Sequence, residues 1–294
     1  ERLVPLRREV LGADHKDTLD SLHNLAVMRI LTGDRDGALS LQRQLVETQT
    51  RRLGAEHPKT LSERGNLASM LIDSGQAEQA LPIALSVVDA SMRVLGADSP
   101  RTLRAKLNLS SLYARLGRFD ETLAMQLEVI EARTRLLGPR HPDTVSILVN
   151  RVATLSQAGR PKEALAMLET LLPMAREVLG DRHPQTQAAL LFLAQDSDAV
   201  GDTPRAIATY RELLALREAS LGADDVKTVD TARNLAGVLA EAGQGAEAAR
   251  LRARYVTPLL EAPEAQLDDR QKQFVADVRE QEAEAASAKQ DPAR

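Results

Sequence analysis

Cysteine and tryptophan are absent from the 294 residues, and three Tyr and three Phe make up the whole aromatic complement. Without cysteine the chain has neither a disulfide framework nor a thiolate metal site, and cytosol and periplasm fit it equally. Few aromatic rings leave few platforms for stacking bases. With no basic stripe either, nucleic acid is not an expected partner. No apolar run approaches the roughly 20 residues that a membrane span needs, so no membrane contact is expected of this segment. Neither sign of charge dominates: 38 Lys plus Arg against 42 Asp plus Glu leave a net charge of -4, an ordinary solvated surface.

What the chain does have is repetition. Segments Leu11 to Thr18, Leu53 to Thr60, Leu95 to Thr102, Leu137 to Thr144, Leu179 to Thr186 and Leu221 to Thr228 recur every 42 residues without a register slip. Constant spacing over many copies means that each copy meets its neighbours in the same way, the pattern of a stacked solenoid. Two glycine columns run through the repeats: Gly12, Gly54, Gly96, Gly138, Gly180, Gly222 and Gly33, Gly75, Gly117, Gly159, Gly201, Gly243. Glycine just past a helix takes φ > 0 at little cost, so each column predicts a helix C-terminus and each repeat two helices.

Start signals agree with the stops. His15, His57, Ser99, His141, His183 and Asp225 form one column, followed by Lys16, Pro58, Pro100, Pro142, Pro184 and Val226. Ser and Asp are good N-caps and proline suits the first helical position, so the first helix of each repeat opens here. The four column histidines invite a metal reading. One repeat apart, they lie on the order of 10 Å from one another, whereas zinc holds its ligands at about 2 Å. Capping is therefore the expected role, and no metal or cofactor is expected. Small residues mark close helix approaches: Ala26, Ala68, Ser110, Ala194 and Ala236 in the first helices, Ala38, Ala80, Ala164, Ala206 and Ala248 in the second. No Ser-His-Asp set, carboxylate pair or phosphate loop stands out, so the segment is not expected to be an enzyme.

Asn24-Leu25-Ala26, Gly33 and Ala38-Leu39 together resemble the helix-turn-helix core of tetratricopeptide repeats. The 42-residue period and the Leu-Gly-x-x-His-Pro-x-Thr linkers at Leu53 to Thr60 and Leu137 to Thr144 are similar to the kinesin-light-chain-type subclass. The resemblance spans roughly residues 1 to 262 and implies an all-α, right-handed superhelical solenoid of antiparallel helix pairs. The expected divisions are a partial repeat at 1–12, six repeats at 13–262, and a capping helix with a disordered tail at 263–294. In that last stretch Leu267, Phe274, Val275 and Val278 form an apolar stripe, and the tail is expected to begin at Ser287. The first residues read like the end of a repeat already in progress, which suggests a piece of a longer polypeptide. A cytoplasmic setting is expected, with the periplasm as alternative should a membrane segment precede Glu1.

The resemblance further implies that the first helices line a concave groove and that the column Asn24, Asn66, Asn108, Asn150 and Asn234 points into it, Phe192 standing in for the missing asparagine. An amide offers both a donor and an acceptor, which suits clamping the backbone of an extended peptide. The alternative is that these amides fix stacking between repeats. Family groove positions carried across add Asp20, His23, Ser69, Asp73, Arg104, Ser111, Arg115, Asp198, Arg233 and Glu241. Arg104 and Arg115 have no acidic partner among the groove positions of their own repeat, which points to an acidic peptide; a solvated charge pattern is the alternative. Two departures stand out: Arg151 in a column of leucines, and Gln195-Asp196-Ser197-Asp198 in place of a mostly apolar stretch; each is read either as a specialised binding position or as a local loosening of the stack. The expected function is non-enzymatic recognition of a protein or peptide by a monomer. A sensor or scaffold arm of a bacterial kinase or nucleotide-switch ATPase, or a self-association module, are the alternatives.

Overall fold

A computed structural model describes residues 3–290, without the side chains of residues 282 and 284–290. By its contacts the chain divides into two compact units, residues 1–139 and 140–294. Unit 1 holds α1 (Leu3–Leu11), then three helix pairs: α2 (Lys16–Leu31) with α3 (Arg35–Leu53), α4 (Pro58–Asp73) with α5 (Ala77–Leu95), and α6 (Pro100–Arg115) with α7 (Phe119–Leu137). Unit 2 continues with α8 (Pro142–Gln157) and α9 (Pro161–Leu179), α10 (Pro184–Ala199) and α11 (Thr203–Leu221), and α12 (Val226–Glu241) with α13 (Gly245–Leu251). Among the described residues there is no strand.

All twelve column glycines have positive φ, yet the two columns need it for different reasons. Gly33 closes α2: its N–H reaches the carbonyl of Ile30 at 3.1 Å, and the next N–H, of Asp34, reaches Arg29 at 2.8 Å. That pair of reversed bonds satisfies carbonyls the helix leaves open and turns the chain tightly into α3. Gly54 instead sits at φ 91°, ψ 159°, a region open essentially to glycine alone, and sends the chain away from α3. In two repeats the linker threonine then ties back to this glycine: Thr18 and Thr102 donate to the carbonyls of Gly12 and Gly96 at 2.8 Å.

Helix starts follow the histidine column. His15, His57 and His141 each accept at Nδ1 from the backbone N–H two residues on at 3.2 Å, and His183 does so at 3.1 Å. Asp225 caps α12 in the same way at 2.8 Å. Ser99 departs from expectation: it holds the N-cap position of α6 without a side-chain bond.

Each unit buries a core at the pair interfaces. In unit 1, Leu67, Leu71, Ile72, Ala80, Ala84, Leu109 and Leu112 pack as one cluster. In unit 2, Ala194, Ala206, Tyr210, Val229, Leu235 and Leu239 do so. The small columns are buried where helices approach, Ala26, Ala80, Ala164, Ala194, Ala206 and Ala236 having at most 1% exposure. In unit 1 ion pairs join each linker to the second helix that follows: Asp14–Arg51 at 3.1 Å, Glu56–Arg93, and Asp98–Arg135 at 2.9 Å. Unit 2 carries the same pair with its signs exchanged, Arg140–Glu177 at 2.6 Å.

The last pair breaks the pattern. After α13 the helix widens into a π segment, Arg252–Val256, and resumes as α14 (Thr257–Glu261). Pro258 has no N–H for the carbonyl four residues back, and the Thr257 N–H bonds five back to Arg252. Beyond it, α15 (Asp269–Gln290) lays Val275 into the unit 2 core, with Leu267 and Phe274 packed against it and Val278 buried. The tail expected from Ser287 is helical through Gln290, because α15 runs on; residues 291–294 lie outside the described residues.

Candidate functional site

Consecutive first helices lie side by side, α4 against α6 in unit 1 and α8 against α10 in unit 2. This places the asparagine column along one face of each unit. Asn24 and Asn150 are exposed, while Asn66, Asn108 and Asn234 are half-buried. Asn108 donates to the hydroxyl of Ser69 in the preceding repeat at 3.3 Å, a bond between repeats. Asn66 donates to Glu63 at 3.3 Å and Asn234 to Asp230 at 3.5 Å, both within their own helix. The column is therefore mixed: one amide spans two repeats, two lean on their own helix, and two stand open.

The sequence-predicted residues come together best between α4 and α6. Asn66, Asn108 and Arg104 line one cavity of about 30 Å³, with Ser62, Gly65 and Arg101 among their neighbours. Gly65 contributes the open space, since a Cβ there would meet nothing within 4 Å. Arg101 and Arg104 are both exposed. Arg101, from the first turn of α6, was missed from sequence; its column is Asp17, Lys59, Asp143, Gln185 and Lys227 elsewhere, and only the fold shows that it adjoins the amides. One repeat earlier, a cavity of about 430 Å³ is lined by Lys16, Asp20, Gln49, Arg52, His57, Lys59 and Glu63.

Arg115 is not available as expected. It donates to Asp73 at 3.2 Å and to the carbonyl of Ile72 at 3.4 Å, both in the preceding repeat. The acidic partner lacking within its own repeat is supplied by the stack. Ser69 and Ser111 also bond inward, to the carbonyls of Gly65 at 3.1 Å and Leu107 at 3.0 Å. His23 is half-buried with Nδ1 at 3.6 Å from Glu63, and Glu63 already accepts from Gln42 at 2.8 Å.

In unit 2 the departures are absorbed into packing. Asp196 is 4% exposed and accepts from the Ser156 hydroxyl at 2.6 Å; burial pushes its carboxyl up, and that bond pulls it partly back. The stretch is part of a continuous α10 rather than a loosened segment. Arg151 is half-buried; burial and then the charge of Arg160 lower its guanidinium, while Glu163 offsets them. Arg233 reaches Gln281 of α15 at 3.2 Å, so that position is occupied from within the chain. Asp198 is half-buried and Glu241 exposed. Among the described residues no group of three or more His, Asp or Glu gathers at metal-holding distance.

Paired helices, two glycine closures per repeat and a polar column on the first-helix face define a helical-repeat protein. Models of the tetratricopeptide repeat match residues 18–59, 56–121, 104–177 and 146–219, and the chain belongs to that family. Its repeats typically serve as non-catalytic interaction scaffolds. A Podosopora anserina putative kinesin light chain with nearly identical TPR-like repeats is similar, with 24% identity, a TM-score of 0.62, and coverage of 70% of this chain and 98% of that one. BtubC (BKLC) from P. vanneervenii is similar at 17% identity and TM-score 0.62, covering 82% and 91%. RapI follows at 12% identity and TM-score 0.61, covering 87% and 88%. At these identities the likeness concerns the fold. No curated protein sequence matches the chain.

Proposed function

We propose that the chain binds an extended segment of a protein partner along its first-helix face, centred on α4 and α6. The observation that carries this reading is the cavity where Asn66 and Asn108 meet the exposed Arg101 and Arg104. Amides of this kind bond a peptide backbone through donor and acceptor alike, largely independent of its side chains. Two guanidinium groups beside them favour an acidic side chain, because charge-assisted bonds to carboxylates are the stronger ones. Asn24 and Asn150 extend the same face in their own units, while Asn234, Ser69, Ser111 and Arg115 stand behind it, holding helices and repeats in place. The helices pre-organise this face, so the ordering cost of binding falls on the partner.

Peptides selected from a random display library on the intact chain provide the test. They should be acidic, and should bind the Asn66→Ala/Asn108→Ala/Asn150→Ala variant at least about tenfold more weakly, a loss of about 1.4 kcal/mol. The folded triple variant binding its peptides unchanged would show that the asparagines serve stacking. Selection of uncharged or basic peptides would remove the acidic specificity.

A further inference from the structure

We infer that the outer face of the second helices in unit 1, between α5 and α7, docks an amphipathic helix of a partner protein that carries a basic flank. Unit 2 supplies the internal control. There the second helices are stapled to one another by four ion pairs: Glu169–Arg205 at 3.3 Å, Arg176–Glu212 at 2.5 Å, Arg211–Glu247 at 2.8 Å and Glu218–Arg254 at 2.5 Å. Shifted back by whole repeats, the first and third of these fall on Leu85 and Glu121, the second and fourth on Met92 and Glu128. The fold thus brings Leu85 of α5 opposite Glu121 of α7, and Met92 opposite Glu128. Where unit 2 places a charge that its neighbour satisfies, α5 places a large apolar side chain that nothing satisfies; on α3 the same two columns carry Arg43 and Thr50. Leu85 is 38% exposed, Met92 42%, and Leu127, one repeat after Leu85, 45%.

Single exposed leucines are ordinary, but an apolar set in columns that unit 2 staples by charge is a different observation. Leu85 and Met92 stand seven residues apart on α5, two helical turns, the pitch at which a second helix repeats its own apolar ridge. The rim selects the partner's charge. Asp89 and Glu131 occupy one column on α5 and α7, are exposed, and have no partner among the described residues. Glu121 and Glu128 stand between the two helices, bonded to Arg118 and Lys106 from the sides. Arg93 and Arg135 are already held by Glu56 and Asp98. The face is therefore apolar with an acidic border, complementary to a ridge of Leu or Met flanked by Lys or Arg. A second copy of this chain would bring two acidic borders together, which disfavours self-pairing.

The test uses two synthetic helical peptides of about 18 residues with one leucine ridge, flanked by Lys in one and by Glu in the other. Anisotropy with the intact chain should show binding of the Lys-flanked peptide, weakened by salt, and little binding of the Glu-flanked one. Leu85→Arg/Met92→Arg recreates the unit 2 staples with Glu121 and Glu128 and should keep its helicity and melting temperature. It should bind the Lys-flanked peptide at least about tenfold more weakly. Leu85→Gln/Met92→Gln separates the apolar contribution from added charge and should weaken binding in the same direction. The asparagine triple variant should bind this peptide as the parent does, which separates this face from the first-helix face. Equal binding of both peptides, or binding unchanged in the Gln variant, would overturn the inference. So would light scattering showing a dimer that the Arg variant dissolves, since the occupant would then be a second copy.

Discussion

Unit 1 and unit 2 share one helix pair and one set of closures, yet they place their charges differently. Unit 2 stitches its second helices together with Arg–Glu pairs. Unit 1 puts Leu85 and Met92 of α5 where those staples begin and sets its pairs at the linkers and between α4 and α6. Both stacks nonetheless bury apolar cores between their helices. Exposed ion pairs contribute only about 0.2–1 kcal/mol each, so the glycines, small residues and leucines suffice to hold the repeat. The charged columns are then free to vary, and their differences carry whatever distinguishes one unit's surface from the other's.

The largest expected effect separates the two units by burial. Arg217 in unit 2 is 5% exposed and donates to the Lys227 carbonyl at 3.0 Å and the Thr231 hydroxyl at 2.7 Å. Arg7 does the same in unit 1, to Asp17 at 2.9 Å and Ser21 at 2.6 Å, but is only half-buried. Thr231→Val leaves a buried guanidinium short of an acceptor and should cost about 1.5–3 kcal/mol by urea unfolding. Ser21→Ala should cost under about 1 kcal/mol, because water replaces the hydroxyl. Equal costs would erase the contrast.

Capping gives a smaller effect. His141→Ala removes a working N-cap from α8 and should cost about 1 kcal/mol, whereas Ser99→Ala, with no cap bond to lose, should change stability by less than about 0.5 kcal/mol. A Ser99 cost matching that of His141 would show a cap bond formed there in solution.

The smallest effect concerns pH. The carboxyl of Asp196 is raised above its ordinary 3.8 by burial, so the folded chain holds that proton more tightly than the unfolded one. Stability from this group is fully present below the ordinary value and is lost as pH rises through the folded one. Asp196→Asn should therefore be slightly more stable than the parent near neutral pH and lose that advantage in acid. An advantage independent of pH would place the effect elsewhere than in the carboxyl.

Much of this was legible in the sequence because a repeat reports its own register. Gly12 and Gly33 marked helix ends, and His15 and Pro58 marked starts. What the glycines did not disclose is that one column closes a hairpin while the other sends the chain outward, since both read as Gly. The candidate site was less legible. Arg115 read as free because its partner, Asp73, lies 42 residues away and only stacking joins them. Asp196 read as a disruption because Ser156, its donor, is likewise one repeat removed. Arg101 escaped notice because its column varies in charge, and its place beside Asn66 and Asn108 depends on how α4 and α6 lie together.

The exchanged pair Arg140–Glu177 also bears on how such a chain can be shortened or lengthened. A 42-residue excision with its joint in the Leu-Gly linker keeps each linker charge with its own partner on the second helix. The same excision with its joint inside the third repeat, between Asp98 and Arg135, sets Asp98 against Glu177, acid upon acid. One sign exchange thus makes otherwise interchangeable copies unequal at recombination. Duplications and deletions joined at the glycines are tolerated by this edge, and those joined within a repeat are marked by it.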